Sequence, residues 1–276
     1  SLRHVIKGLQ SSLPSGAAFH HGVIGCAALF TDATPAEKRA LCAGLLPLAT
    51  THVVSDCQTA HFGATLGRPG VVIVAGTGSI VLAKGEDGTF AQRGGWGHLL
   101  GDEGGAWWIA RESIRAAIAA HEKRAPHSCL DRLVRRFFRI SSLHDLAALV
   151  HGRLAKEEVA ALAAFLARTV PPSDRVFRAL LHRAGRELAA PALAAIRAAH
   201  LRSRPVPVFL AGSVLTRNRR VRTSLLAALR PRIAVQVLPP ALPAVLGAAA
   251  MSLATGGIAL SSRLVANLRR GYRQAS

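Results

Sequence analysis

The chain has 276 residues, half of them apolar, which is enough for two medium-sized hydrophobic cores but includes no apolar stretch of the roughly 18 to 20 residues needed for a membrane span. Its formal net charge of +20 comes mostly from arginines dispersed along helical patterns, so we expect non-specific attraction to polyanions but no specific nucleic-acid partner. Its cysteines are scattered without a CxxC pair, which argues against a zinc or iron–sulfur site.

The first part of the chain alternates predicted helices and strands. Apolar residues at helical spacing, short β-branched runs and the turn residues between them define these elements. In chain order they are a helix over residues 2–12, a strand over 22–29, a helix that begins after Asp32 and runs to about residue 46, a strand over 52–56 and a helix over 58–66. Arg68, Pro69 and Gly70 then form a candidate hinge between domains.

Two consecutive hairpins and a glycine-dense loop are predicted next. Residues 71–74 are an apolar β-branched run typical of a buried strand, and residues 80–83 form a second such run after a Gly-Thr-Gly-Ser turn. The Asp87-Gly88 pair indicates a hairpin turn before a third strand over residues 89–93.

The rest of the chain is predicted to be mostly helical, with two further strands. The helices are expected over residues 106–120, 129–138, 144–149, 157–169, 175–200, 219–229, 241–254 and 264–272, and the strands over 207–210 and 234–238. Pro191 is expected to kink or split the longest of these helices, unless it starts a new helical segment.

Asp56 is a candidate acid–base residue because it follows a predicted strand and precedes a helix. Strand ends in α/β folds face the ligand crevice, and phosphoryl transfer uses a carboxylate that orients the attacking hydroxyl and accepts its proton. The same position suits a residue that caps the helix beginning near Cys57. From the residues alone, both interpretations stay open.

Two glycine clusters suggest different roles. Gly76, Thr77, Gly78 and Ser79 lie where one strand turns into the next, and their amides and hydroxyls suit an anion such as phosphate, although an ordinary tight hairpin has the same composition. The second cluster, residues 94–105, gives up so much backbone entropy that it is expected to hold something close to its main chain.

The second cluster surrounds four residues with side chains suited to binding. Trp96 could instead be a core anchor under the loop, and Asp102 could be a turn or cap residue. Glu103 either contacts a magnesium-bound water or caps the following helix, and His98 is expected to be a packed loop residue.

The combination of Gly-Thr-Gly-Ser, the Asp-Gly hairpin and the sequence GGWGHLLGDEGG before an aromatic helix start resembles the N-acetylglucosamine kinases. More broadly, it resembles the BadF/BadG/BcrA/BcrD-type ATPases of the sugar kinase, heat-shock chaperone and actin superfamily. The resemblance covers about residues 23–257. It implies an α/β protein with the actin-like ATPase (ribonuclease H-like) fold, in which two domains surround a cleft.

The resemblance also implies a domain organisation. The first domain is expected over residues 1–69 and the second over 70–276, with a helical insert at about 106–200. Family members begin with a glycine-rich phosphate loop that carries an Asp, and nothing like it precedes Ser1. We therefore expect the first domain to lack its N-terminal strands.

The resemblance implies an ATP-dependent transfer of phosphate to an amino sugar, N-acetylglucosamine, at its 6-hydroxyl, with Mg²⁺ neutralising the phosphates. It assigns Asp56 as the general base, and it assigns the sugar pocket to Gly95, Trp96, Gly97 and Asp102.

The resemblance assigns the nucleotide to two turns. Its residues are Gly76, Thr77, Gly78 and Ser79 around the phosphates, and Gly212 and Ser213 on the adenosine side. We assign no residue as a metal ligand.

Three other functions stay open. The chain could be an inactive pseudokinase that still binds an amino sugar, or a polyanion-binding protein. It could be a BadF-type activator of a radical dehydratase, although the scattered cysteines argue against a cluster site.

Because no sustained apolar core follows the basic residues near Ser1, we expect no signal peptide, no membrane partner and a cytoplasmic location. The oligomeric state, a homodimer among the options, is left open.

Overall fold

The structure is a computed structural model that describes residues 21–27, 29–42, 51–152 and 154–275. Its internal contacts divide the chain into two compact units, Ser1–Arg68 with Pro239–Ser276 and, between them in sequence, Pro69–Leu238. We expected the second domain to extend to residue 276, and the segment from Pro239 onward belongs instead to the first unit. The helix expected over residues 2–12 lies outside the described residues.

The helices and strands follow the predicted order, except that a short helix over residues 213–217 was not predicted and that two helices replace the one expected over residues 175–200. In the first part they are β1 (Gly22–Cys26), α1 (Pro35–Cys42), β2 (Thr51–Ser55), α2 (Asp56–Thr65), β3 (Gly70–Ala75), β4 (Ser79–Lys84) and β5 (Phe90–Gly94). The helical stretch contains α3 (Ala106–His121), α4 (Leu130–Phe138), α5 (Asp145–Gly152), α6 (Lys156–Thr169), α7 (Arg175–Glu187) and α8 (Ala189–Ala198). The last part contains β6 (Val206–Ala211), α9 (Ser213–Arg217), α10 (Arg219–Leu229), β7 (Val235–Leu238), α11 (Ala244–Thr255) and α12 (Ser262–Ala275).

In the first unit, helices from the N-terminal and C-terminal parts of the chain pack against the parallel pair of β1 and β2. The backbone N–H of Leu242 donates to the carbonyl oxygen of Gly63 at 2.8 Å. This bond holds the segment just before α11 against α2. The two helices cross at glycines, because a Cβ at Gly63 would lie 3.1 Å from the Cα of Gly247. A Cβ at Gly247 would overlap the carbonyl oxygen of Thr59. This close crossing explains why the C-terminal segment packs with the first unit.

The second unit contains a five-stranded sheet in the order β5-β4-β3-β6-β7. The antiparallel pairs β3–β4 and β4–β5 are the two predicted hairpins, whereas β6 and β7 add in parallel. Gly88 adopts a φ of +87°, and the Asp87 carboxylate accepts the N–H of Thr89 at 2.8 Å. The Asp-Gly pair therefore makes the second hairpin turn, as the sequence predicts.

Helices α3–α8 form the predicted helical stretch and bury the apolar residues of the sheet. Val71 and Ile73 on β3 are fully buried in one core with Leu162 of α6. The single helix expected over residues 175–200 is two helices, and Pro191 lies in the first turn of α8, where the missing N–H costs no helical hydrogen bond. No helix of the described chain combines the length and the apolarity needed to cross a lipid bilayer.

The crossing of α2 and α11 predicts the effect of a single added methyl group. Gly247→Ala places a Cβ on the Thr59 carbonyl oxygen, so the helices must separate. We expect the free energy of unfolding to fall by about 1–3 kcal/mol, measured by urea denaturation. Gly271→Ala on α12 is the control, since a Cβ there meets nothing within 4 Å, and we expect it to leave stability unchanged or slightly raised. Equal losses in both variants would contradict the role of the crossing.

Candidate active site

Two strand-ending turns lie side by side at one edge of the sheet in the second unit. β3 and β6 are parallel neighbours with Val74 opposite Ala211, so the turns that begin at Gly76 and Gly212 follow at the same edge. Gly212 has a φ of +83°, and a Cβ on it would overlap the carbonyl oxygen of Ala75. Glycine is therefore required where the chain passes from β6 into α9. The structure thus brings together the two turns to which the family resemblance assigns a nucleotide.

The hairpin of residues 76–79 is joined to the start of α3. The N–H of Ala106 donates to the carbonyl oxygen of Gly76 at 2.8 Å, and the N–H of Trp107 donates to that of Thr77 at 2.9 Å. The first N–H groups of a helix have no partner within the helix, and the N-cap residue Gly105 has no side chain to supply one. The hairpin carbonyls therefore replace a side-chain cap.

Asp102 and Glu103 join the second glycine cluster to the same hairpin. The Ser79 N–H donates to Asp102 Oδ1 at 3.1 Å, and the Ser79 hydroxyl donates to the carbonyl oxygen of Glu103 at 2.8 Å. Asp102 is buried, adopts a φ of +62°, and packs so closely on Gly78 that a Cβ there would overlap its carboxylate. The two glycine clusters are therefore one hydrogen-bonded structure, which we call the loop pair (residues 76–79 and 94–105).

Several polar groups of the loop pair have no partner among the described residues. They include the N–H groups of Thr77 and Gly78 and the Thr77 hydroxyl, and these residues are partly exposed. A Cβ on Gly76 would meet nothing within 4 Å, so the space beside the hairpin is open. Such a group of free donors can bind an oxyanion. Ser79, in contrast, uses both of its donors inside the loop pair.

Asp102 also keeps acceptor capacity. Oδ1 accepts the N–H of Ser79, whereas Oδ2 receives no hydrogen bond from any residue that the structure describes. A carboxylate oxygen of this kind can accept a ligand hydroxyl, and the surrounding burial strengthens such a bond.

Trp96 is not a core anchor, because 64% of it is exposed. Gly95 and Gly97 flank it with φ angles of +76° and +80°, so the backbone on both sides adopts conformations that favour glycine. Leu99 and Leu100 are also exposed. The loop therefore presents an apolar surface that can lie against the C–H face of a ligand ring.

The other two residues of the second cluster have structural positions. The His98 ring packs edge-on against Trp107, with centroids 4.9 Å apart, and the Arg111 guanidinium lies 5.1 Å from the Trp107 ring centroid. Glu103 does not cap α3 with its side chain, so that alternative is wrong; its carbonyl oxygen is the group that is used.

In the first unit, Ser55 rather than Asp56 caps α2. The Ser55 hydroxyl accepts the Gln58 N–H at 3.3 Å and the Gln58 side chain accepts the Ser55 N–H at 3.0 Å, so the interpretation of Asp56 as the cap is wrong. Asp56 is the exposed first residue of the helix, and its carboxylate bonds to none of the described residues. Burial raises the pKa of the neighbouring Cys57 thiol to about 11, which keeps it neutral and unreactive at pH 7.

No three or more His, Cys, Asp or Glu side chains cluster as metal ligands within the described ranges. Two structural roles were not predicted from the sequence, the cap that Ser55 forms and the bonds that Ser79 makes to residues 102 and 103. The Ser55-x-x-Gln58 spacing is a capping-box signature and could have identified the first. No local sequence pattern indicates the role of Ser79, because Ser79 and its partner Asp102 are far apart in sequence.

Comparison with known proteins identifies relatives of the chain. Residues 31–252 match the BadF/BadG/BcrA/BcrD ATPase family. An N-acetylmuramic acid/N-acetylglucosamine kinase of Clostridium acetobutylicum is 30% identical over 164 residues, 59% of this chain and 54% of that protein. An N-acetyl-D-glucosamine kinase of Dictyostelium discoideum is 34% identical over 93 residues, 33% of this chain and 29% of that protein. The chain thus spans about half, or less, of the length of these curated relatives.

Solved structures agree on the fold. A candidate N-acetylglucosamine kinase from Chromobacterium violaceum superposes with a TM-score of 0.68 at 28% identity, covering 92% of this chain and 84% of that one. A second candidate N-acetylglucosamine kinase, from Porphyromonas gingivalis, superposes with a TM-score of 0.58 at 17% identity, covering 82% of this chain and 75% of that one. At this low identity the match supports only the fold. The expected α/β fold of the actin-like ATPase class is confirmed.

The contact between Gly78 and Asp102 predicts how the loop pair responds to a methyl group. Gly78→Ala forces the Asp102 carboxylate away and weakens its bond to Ser79. We expect the amides of residues 94–105 to exchange with deuterium about tenfold faster or more, because the segment loses an anchor. Gly152→Ala, where a Cβ meets nothing within 4 Å, is the control and should leave that exchange unchanged. Unchanged exchange in Gly78→Ala would show that the two clusters are held independently.

Proposed function

Because the chain belongs to the BadF/BadG/BcrA/BcrD ATPase family, we propose that it is an ATP-dependent kinase that phosphorylates N-acetylglucosamine at its 6-hydroxyl. The observation that carries this proposal is the loop pair. It combines free hydrogen-bond donors, which suit a phosphate, with a buried carboxylate in one hydrogen-bonded structure. The names of the relatives support the choice of an amino sugar.

The nucleotide would be bound at the carboxyl edge of the sheet. The free N–H groups of Thr77 and Gly78 and the Thr77 hydroxyl suit the phosphates, and the positive end of the α3 dipole lies at the same hairpin. Gly212 and Ser213, beside the hairpin, suit the adenosine side. When bound, Mg²⁺ would neutralise the negative charge of the phosphates.

The sugar would be held by the second cluster. Asp102 Oδ2 is available to accept a sugar hydroxyl while Oδ1 keeps its bond to Ser79. The exposed Trp96 ring would cover the C–H face of the sugar, and Gly95 and Gly97 would allow the backbone to approach it closely.

Asp56 would act as the general base. Because Ser55 supplies the helix cap, the exposed Asp56 carboxylate remains available to orient the 6-hydroxyl and accept its proton. The hydroxyl oxygen then forms a bond to the γ-phosphorus as the bond to the β-phosphate oxygen breaks, and ADP leaves.

The role of Asp56 is tested by Asp56→Asn. We expect N-acetylglucosamine-dependent ATP turnover to fall about 10²–10⁴-fold, because general base catalysis is lost while the Ser55 cap remains. Binding of both substrates, measured by calorimetry, should stay near that of the unchanged chain. The matched control is Asp32→Asn, an exposed carboxylate of the same unit, which should retain full turnover. Full activity of Asp56→Asn would remove the proposed base.

Asp102 is tested by two substitutions with different expected results. Asp102→Asn keeps an oxygen for the Ser79 N–H but loses the charge, so we expect the KM for sugar to rise about 10–100-fold with little change for ATP. Asp102→Ala also removes the bond to the hairpin, and we expect ATP affinity to fall as well.

Glu103→Gln is the control for Asp102, because it changes the adjacent exposed carboxylate while keeping the carbonyl oxygen that Ser79 uses. Sugar binding without turnover in the unchanged chain, sensitive to Asp102→Asn, would identify a sugar-binding protein and contradict the kinase. If the unchanged chain shows no sugar binding and no turnover, the whole proposal is contradicted.

A further inference from the structure

A cavity of about 640 Å³ lies in the second unit among α3, α5, α6 and the loop residues His98 and Leu99. Its size falls within the range of about 300–1,000 Å³ that is typical of small-molecule sites. None of the groups proposed to bind ATP or the sugar lines it. The cavity therefore needs an explanation of its own.

The interior of the cavity is apolar. Five of its lining residues are less than a tenth exposed and belong to the helices and to the segment before α5, namely Trp107, Ile114, Leu143, Leu146 and Val159. An apolar body placed against these side chains would leave water and gain free energy roughly in proportion to the area buried.

The rim of the cavity is basic. Arg111 and Arg115 both line it and share a single carboxylate, Glu112, each at 3.2 Å. Lys156 also lines it, and the Glu157 carboxylate lies 3.8 Å from its amine, a long and half-exposed pair.

Glu122 is the one carboxylate among the residues that line the cavity, and it is bonded to the Arg124 guanidinium at 2.6 Å. His98, His121 and His144 complete the polar part of the lining. Among the side chains that line the cavity, Arg111, Arg115 and Lys156 thus outnumber the single carboxylate, which matches a ligand that is apolar at one end and negatively charged at the other.

We propose that this cavity is a binding site for a small organic anion with an apolar body, distinct from the sites for ATP and sugar. The apolar part lies against Trp107, Ile114 and Leu146, and the anionic group lies at the rim near Lys156 and Arg111. The proposal does not depend on the kinase function. The cavity does connect to the loop pair, since the Trp107 ring contacts the His98 ring and the backbone N–H of Trp107 donates to the carbonyl oxygen of Thr77.

Binding in the cavity is tested with anilinonaphthalene sulfonate, a probe with an apolar ring system and one sulfonate group. The fluorescence of this probe rises in apolar sites. Ala147 is exposed and lines the cavity, so Ala147→Trp fills it without removing a core side chain. We expect the affinity for the probe to fall about tenfold or more. Ala148→Trp on the same helix is the control, because Ala148 is also exposed and does not line the cavity, and affinity should change less than about twofold.

The same measurement can overturn the proposal. Equal effects of the two tryptophans, or none from Ala147→Trp, would mean that the fluorescence comes from another surface, such as the exposed Trp96 and Leu100. Circular dichroism on both variants verifies that each is folded.

The basic rim is tested with a probe of the same ring system that lacks the charge, N-phenylnaphthylamine. We expect the sulfonate to bind several-fold more tightly than the neutral probe, and Lys156→Gln to reduce this preference. Arg168→Gln removes a charge from the same helix outside the cavity and should leave the preference unchanged. Equal binding of the two probes, unaffected by Lys156→Gln, would leave an apolar cavity without anion specificity and overturn the proposal.

Discussion

Two hydrogen bonds between the start of α3 and the carbonyl oxygens of Gly76 and Thr77 hold the candidate site together. They satisfy helical N–H groups that have no partner inside the helix and that a buried helix end cannot leave unpaired. They also use the carbonyls of the hairpin while its N–H groups at Thr77 and Gly78 stay free. The hairpin is therefore left with donors in excess, which is the property that an anion site requires.

Glycine makes this arrangement sterically possible. A Cβ on Gly105 would lie 2.7 Å from the carbonyl carbon of Gly78, so a side chain there would push α3 away from the hairpin. Gly212 has the same function on the other side, against Ala75. The entropy that such glycines lose on folding is offset only where close backbone contact is gained, and here the contact is between the segments proposed to bind phosphate and sugar.

Local signals in the sequence were sufficient for most elements of the fold, although not for the short helix α9. The Asp87-Gly88 turn and the position of Pro191 both act through the backbone of a few neighbouring residues, so their effects are visible without tertiary information. The cap of α2 is also a local feature, but its residue is Ser55 and not Asp56, the residue considered from the sequence. The bond between Ser79 and Asp102 could not be predicted, because it depends on how two distant segments meet.

The crossing of α2 and α11 has a consequence for how the protein is made. The first unit takes its helices from both sides of the second unit in sequence, and Gly63 and Gly247 are separated by the whole of Pro69–Leu238. A ribosome therefore completes the second unit before α11 exists. Until then α2 lacks the helix that covers it, and its apolar face stays open to chaperones or to other chains. Formation of the first unit is expected to be the late, slow step, since its closing contact spans so much sequence.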